Sequence, residues 1–155
     1  MPKKILLSQL LLCLFAVVRL EAANVSILVI ETGLPKENPA QNYSLMWENG
    51  LMDVLFEAGH IVSNAPILRL SGKVQNGFPD EAERDMGEAR ENGMRYFLVA
   101  VVNYPLPYNV SLRLFSTSSP EMLYEVKYTY KAPKSEKEEY DNIKKAIREM
   151  TTRIR

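Results

Sequence analysis

Cysteine and histidine are the scarcest chemically versatile side chains in this sequence: its 155 residues contain one of each. The cysteine, Cys13, lies within the first 23 residues, so the rest of the chain offers no thiol for a disulfide, a nucleophile or a metal site. His60 alone would need a nucleophile and an orienting carboxylate to act as a general base, or further ligands to hold a metal. We therefore interpret His60 as structural, and we predict no catalytic residue, no metal site and no cofactor.

An excess of charge of one sign is also absent. The chain has 19 basic and 19 acidic residues, and its first 23 residues hold three of the basic and one of the acidic side chains. Residues 24–155 therefore have a net charge of about −2, which gives them no electrostatic reason to bind nucleic acid. We predict no nucleic-acid partner.

Long apolar runs are missing as well, and the longest lies near the start. Residues 10–18 are uninterrupted by polar side chains apart from Cys13, but a transmembrane helix needs about 20 apolar residues. Lys3 and Lys4 precede this run, and the small residues Ala22 and Ala23 follow it. This order is typical of a secretory signal peptide. We predict that residues 1–23 are a signal peptide, cleaved near Ala22 or Ala23, and that the protein is periplasmic or secreted.

Cys13 leaves a second route to the envelope open. Leucines before a cysteine are typical of the lipid-attachment signal of bacterial lipoproteins, but Leu12 stands where a small residue should precede the cysteine. The apolar residues after Cys13 also differ from the polar start of a mature lipoprotein. We favour cleavage, so that the membrane is contacted only by the signal peptide or, in the alternative, by a lipidated Cys13. The lack of disulfides in a secreted domain of this size favours a bacterial envelope.

The pattern of apolar residues and breakers predicts the order βαβαβββα for residues 24–155. The continuous apolar run at residues 97–102 is typical of a central strand, whereas the last two strands alternate as half-buried antiparallel strands do. In the first helix, Leu45, Met52 and Phe56, flanked by Leu51 and Leu55, give an apolar face at helical spacing. We predict one α/β domain with a mixed five-stranded sheet and three helices. The strands cover residues 25–30, 60–65, 95–104, 109–116 and 121–131, and the helices cover residues 42–58, 80–93 and 135 onward.

Four segments carry a resemblance to a known family. They are VSILVI at residues 25–30, AGHIV at 58–62, NGMRYFLV at 92–99 and MLYE at 122–125. Together with the element order, they make residues 24–155 similar to the amino-terminal domain of the periplasmic protein TolB. A wider group includes domains of curli-secretion and penicillin-binding-protein-activator lipoproteins. The resemblance implies this fold and non-catalytic interactions in the envelope, and it implies no site residues.

Three tyrosines of the last strand are the first candidate for an interaction surface. Tyr124, Tyr128 and Tyr130 face one side of that strand, because side chains alternate along it. Tyrosine is enriched at protein interfaces, since its ring is apolar and its hydroxyl is polar. The alternative is that the terminal helix covers this side, so that the rings belong to the core and their hydroxyls reach its rim.

The second candidate is the acidic helix that begins near Asp80, from which we select Glu83 and Glu91. The alternative is a solvated helix face, because acidic residues stabilise the positive end of the helix dipole and pair with interleaved arginines. We expect the same dipole role for the acidic start of the last helix. The acidic residues of the first of these helices are Asp80, Glu81, Glu83, Asp85, Glu88 and Glu91, and those that open the last helix are Glu136, Glu138, Glu139 and Asp141.

These observations favour a non-enzymatic secreted or periplasmic accessory domain that binds another protein of the bacterial envelope. The alternative is a small-ligand or glycan-binding periplasmic protein, whose cleft is formed by residues 71–79 and 104–108. An enzyme is less favoured, because the chain has one histidine and no pair of carboxylates fixed by spacing.

Overall fold

The computed structural model describes residues 22–33, 43–70, 80–104, 107–119, 121–131 and 135–154. Residues 1–21, with most of the predicted signal peptide and Cys13, lie outside these ranges. The strands are β1 (Asn24–Thr32), β2 (Ile61–Asn64), β3 (Leu68–Leu70), β4 (Tyr96–Asn103), β5 (Tyr108–Ser116) and β6 (Met122–Tyr130). The helices of the described residues are α1 (Tyr43–Glu57), α2 (Asp80–Glu91) and α3 (Glu136–Thr151).

The six strands form one mixed sheet in the order β2-β1-β4-β5-β6, and β3 also pairs with β1. β1 runs parallel to β2, β3 and β4. From β4 onward the pairing is antiparallel, first with β5 and then with β6. The predicted α/β class, with a single domain, a mixed sheet and three helices, is confirmed.

The predicted second strand, at residues 60–65, corresponds to β2, and a further short strand, β3, follows it. Pro66 lies between β2 and β3, and proline has no N–H with which to continue the hydrogen bonding of a sheet. Ala65 still donates to the Ile27 carbonyl at 2.8 Å, so the chain stays beside β1 through the break. The sheet therefore has six strands where the sequence pattern predicted five.

The sheet separates two cores, one on each side. Alternate residues of β1 point to opposite sides: Val25 and Ile27 belong to the core under α1 and α3, whereas Leu28 and Ile30 belong to the core under α2. β4 is buried on both sides as well, as its continuous apolar run predicted. The helices therefore form two layers that enclose β1 and β4.

The buried face of α1 differs from the predicted one. Phe56 is 56% exposed and Leu45 is 43% exposed, while Met52 is half-buried. The prediction was right for the flanking Leu51 and Leu55 but wrong for Leu45 and Phe56, because α1 carries apolar residues around most of its circumference and spacing alone could not identify the face toward the sheet. The side chains of α1 that the core buries are Trp47, Leu51, Val54 and Leu55.

α1 and α3 run in parallel along the same side of the sheet. The Tyr140 hydroxyl donates a hydrogen bond to the Asp53 carboxylate, and the Lys144 ammonium donates to Glu57 at 2.7 Å. Each step advances by four residues on both helices, so the two helices point the same way. Ser135 caps α3, where its hydroxyl accepts from the backbone N–H of residue 138 at 3.2 Å.

Candidate interaction surfaces

The tyrosines of β6 lie beneath α3. Glu149 on α3 accepts a hydrogen bond from the Tyr128 hydroxyl at 2.8 Å and from the Tyr124 hydroxyl at 3.3 Å. The guanidinium carbon of Arg153 lies 4.5 Å from the centre of the Tyr124 ring, in cation–π geometry. All three predicted tyrosines, Tyr130 included, are half-buried and pack against the core under α1 and α3.

Burial and charge disfavour ionisation of these hydroxyls. Burial, together with the Glu149 carboxylate, raises the pKa of Tyr128 above the usual value. Burial raises the pKa of Tyr130 to about 12. The ring of Tyr130 also meets Trp47 of α1 edge to face, with 5.8 Å between ring centres. This geometry agrees with the interpretation that α3 covers the tyrosines, and their part in binding a partner stays a prediction.

The acidic candidates lie on the opposite side of the sheet. Glu83 and Glu91 are exposed on α2, whose buried alanines belong to the other core. The structure therefore does not bring them together with the tyrosines into one surface. Asp85 differs from the expected solvated face: it is buried, and Arg84 donates to one of its oxygens at 3.3 Å. The role of Glu83 and Glu91 in binding stays a prediction.

His60 is buried where β2 begins, beside the start of β1. Its Nδ1 accepts a hydrogen bond from the Ala23 N–H at 3.3 Å, and burial lowers its pKa. Nowhere in the described ranges do three or more His, Cys, Asp or Glu side chains gather as a metal ion would require. In the same ranges, no helix has the length and hydrophobicity that crossing a membrane needs.

A polar network covers the other side of β5 and β6. Glu125 accepts hydrogen bonds from Ser111 and from Arg113, each at 2.8 Å, and the Lys127 ammonium lies 3.0 Å from its second oxygen. Burial by itself would raise the pKa of Glu125, but these three donors outweigh it and lower the pKa to about 2. Sequence reasoning missed this network, although polar residues alternate along both strands. Its members become neighbours only through the register that places Arg113 opposite Glu125.

The outer side of α1 carries the largest exposed aromatic side chain of the described residues. Leu45, Asn49, Met52 and Phe56 follow one another at helical spacing along it, and we refer to these four residues as the α1 stripe. Tyr140 of α3 lines the same shallow depression as the stripe from Asn49 to Phe56. The sequence pattern predicted that three of these residues, Leu45, Met52 and Phe56, belong to the core.

The predicted ligand cleft falls mostly on residues outside the described ranges. Residues 71–79 and 105–106 lie outside them, and only the backbone of Tyr108 is described. Tyr104 is half-buried at the end of β4, and its N–H donates to the Thr32 carbonyl at 2.9 Å. The small-ligand alternative therefore stays a prediction.

No family model and no curated protein sequence matches the chain. Solved structures do match. The chain is 13% identical to the PelC dodecamer protein of Paraburkholderia phytofirmans over 85% of this chain and 86% of that chain, with a TM-score of 0.48. It is 14% identical to the LpoB C-terminal domain of Salmonella enterica, over 80% and 94% of the two chains, with a TM-score of 0.46. It is 10% identical to TolB of Acinetobacter baumannii, over 86% of this chain and 29% of that chain, with a TM-score of 0.39.

These matches are likenesses of fold. The TolB-like resemblance that the sequence predicts is confirmed at that level, since TolB and LpoB are among the matching structures.

Proposed function

We propose that this chain is a non-enzymatic accessory domain of the bacterial envelope, periplasmic or secreted, that binds another envelope protein through the α1 stripe. The exposure of Phe56 and Leu45 is the observation that carries the proposal. Both side chains belong to a helix whose opposite face is buried in the core through Trp47 and Leu51. The exposed parts of Phe56 and Leu45 therefore do not contribute to the core. Phe56 is 56% exposed, so burying its exposed part in a partner would stabilise the complex by about 1–1.5 kcal/mol, roughly half of the value for a fully exposed side chain.

The charges beside the stripe define the chemistry of the partner. α1 contains three acidic residues, Glu48, Asp53 and Glu57, and no basic residue. Lys144 and Arg148 lie beside Glu57, whereas the contacts of Glu48 and Asp53 are with the neutral side chains of Asn64 and Tyr140. A partner segment that presents large apolar side chains next to lysine or arginine would complement this surface.

Site-specific photocrosslinking in the producing cell tests the proposal. A photoreactive amino acid at position 49, in the middle of the stripe, should give one major adduct, and mass spectrometry should identify it as an envelope protein. The same probe at position 81 is the control, because Glu81 is exposed on α2 at the other side of the sheet. Phe56→Ser should lower the adduct yield at position 49 about tenfold, as the loss of roughly 1.4 kcal/mol of binding free energy predicts.

The non-enzymatic part of the proposal has its own control. His60→Ala removes the one imidazole of the chain, whose Nδ1 accepts a hydrogen bond from Ala23 and which does not line the depression beside the stripe. We expect the adduct yield of this variant to be unchanged. Equal adducts from positions 49 and 81, or a yield that Phe56→Ser does not lower, would contradict the α1 stripe as the binding surface.

A further inference from the structure

The two edges of the sheet differ in their capacity to pair with another strand. One edge consists of β2 and β3, which have four and three residues and are separated by Pro66. The other edge is β6, which has nine residues and contains no proline. Within the described residues, β5 is the one strand that pairs with β6. An unbroken edge strand is a template for pairing with another chain.

The regular part of β6 lies from Tyr124 to Tyr130. A register shift interrupts the pairing with β5 between Leu114 and Phe115, opposite the start of β6, and from Tyr124 onward the pairing is continuous. α3 packs on one face of the sheet, against α1, β5 and the tyrosine side chains of β6, so it covers the face of β6 and leaves the backbone groups along its edge uncovered. A further strand could therefore pair with residues 124–128 without displacing α3.

The charge pattern of β6 identifies a second copy of this chain as the occupant. We propose that two copies pair their β6 strands antiparallel about a two-fold axis at Val126. In this register Glu125 of each copy lies opposite Lys127 of the other, and Tyr124 lies opposite Tyr128. Pairs of opposite charge and pairs of aromatic residues each stabilise neighbouring strands. The helices of both copies then lie on the same side of one continuous sheet.

The neighbouring registers are unfavourable for the same reason. An axis at Glu125 places two glutamates opposite each other, and an axis at Lys127 places two lysines opposite each other. Like charges directly opposite destabilise a strand pair. Lys127 is 69% exposed, so its ammonium can reach across the edge while Arg113 continues to neutralise Glu125 within the chain. This inference goes beyond the proposed function and uses a surface other than the α1 stripe.

Disulfide trapping in the full chain tests the register. In a Cys13→Ser background no other cysteine is present. Val126→Cys should then form a disulfide-linked dimer, because residue 126 of one copy lies directly opposite residue 126 of the other at the two-fold axis. Cα atoms of directly opposite residues are about 4.5–5.5 Å apart, which a disulfide spans. Thr129→Cys is the matched control on the same edge: its two copies would be six residues apart along the strands, or about 20 Å.

Charge reversal tests the same pairing without cysteines. Lys127→Glu should weaken dimerisation, measured by sedimentation equilibrium, about tenfold, because it turns two attractive pairs into repulsive ones. Lys137→Glu reverses an exposed lysine of α3 away from the edge and should leave dimerisation within about twofold of the starting chain. Melting curves of all variants report whether each one folds.

Three results would overturn the inference. They are a chain that stays monomeric over the micromolar range, crosslinking of Thr129→Cys as efficient as that of Val126→Cys, and dimerisation that Lys127→Glu does not weaken. None of them bears on the crosslinks from position 49, so the failure of this inference and the failure of the proposed function are distinguishable.

Discussion

Gly50 of α1 lies so close to Ile143 of α3 that a β-carbon at position 50 would overlap the isoleucine side chain. Ile147 lies beside the same point. Glycine is a poor helix former, yet it sits in the middle of α1, because only a residue without a side chain lets α3 approach this closely. This contact fixes how the two parallel helices pack, and with them the position of the α1 stripe.

Gly50→Ala should therefore destabilise the fold although alanine favours helix. Overpacking a core costs about 1–3 kcal/mol, and the gain in helix propensity offsets up to about 1 kcal/mol of it. We expect a net loss of about 1–2 kcal/mol in the free energy of unfolding, measured with urea. Gly87→Ala is the matched control on α2, where nothing lies within 4 Å of an added β-carbon. That variant should be more stable by about 0.5–1 kcal/mol. Equal effects of the two substitutions would contradict the close packing of α1 and α3.

Tyr128 should contribute more to stability through its hydroxyl than Tyr124 does. The Tyr128 hydroxyl lies 2.8 Å from the Glu149 carboxylate and 3.3 Å from the Ala146 carbonyl, whereas the Tyr124 hydroxyl lies 3.3 Å from the carboxylate. Tyr128→Phe should lower the free energy of unfolding by about 1–2 kcal/mol, and Tyr124→Phe by less than about 0.5 kcal/mol. Urea unfolding at neutral pH measures both. If Tyr124→Phe lost more stability than Tyr128→Phe, the Glu149 carboxylate would be held mainly by Tyr124, which would contradict this prediction.

The fold could be predicted from the sequence where local pattern and tertiary structure agree. The continuous apolar run of β4, and the alternation of apolar and polar residues along β5 and β6, are enough to predict which side chains of these strands are buried. Gly59 and Gly93 end α1 and α2 with φ of 85° and 75°, which few residues other than glycine adopt, so these ends could be predicted as well.

The prediction failed where burial depends on how elements pack. α1 could bury either of two apolar faces, and the approach of α3 at Gly50 selects one. For Glu139 the sequence predicted a dipole role at the acidic start of α3, but its side chain is fully buried. Its side chain lies one turn before Ile143, on the side of α3 that faces α1, and no local pattern indicates this. The candidate sites were harder still, because the tyrosines and the acidic residues lie on opposite sides of the sheet.

The position of Ala23 leads to a prediction on where the chain starts after the predicted cleavage of the signal peptide. Ala23 is 3% exposed, its N–H donates to His60, and its carbonyl accepts from the Ile61 N–H at 3.0 Å. A chain that starts at Asn24 loses both hydrogen bonds and should be less stable than one that starts at Ala23 by about 1–3 kcal/mol. A chain that starts at the exposed Ala22 is the control and should match the Ala23 chain in stability.

Intact-mass analysis of the protein from the producing cell complements this measurement. We expect a mature chain that begins at Ala23, since cleavage after Ala22 retains these contacts. A mass that corresponds to a start at Asn24 or at Met1, or to an acylated Cys13, would contradict this expectation.

Glu139 should make stability depend on pH in a direction opposite to that of most carboxylates. Neither of its oxygens has a hydrogen-bond partner among the residues that the structure describes, and burial raises its pKa to about 7. The folded chain then holds a proton on Glu139 that the unfolded chain, with an ordinary carboxyl pKa near 4.5, has released. Stability from this residue is therefore fully present below pH 4.5 and is lost as the pH rises through 7.

Glu139→Gln removes this titration while it keeps the size of the side chain. At pH 8 the variant should be more stable than the starting chain by about 3 kcal/mol, because the pKa rises from 4.5 to about 7 on folding and each pH unit of that difference is worth about 1.4 kcal/mol. At pH 4.5 the two chains should differ by less than about 0.5 kcal/mol, because both are neutral at position 139 in the folded state. Urea unfolding at several pH values between 4.5 and 8 gives the difference in the free energy of unfolding between the two chains. The other titrating groups are the same in both chains, so their contributions cancel in this difference. A difference that does not grow over this range would mean that Glu139 is solvated or paired in the folded protein.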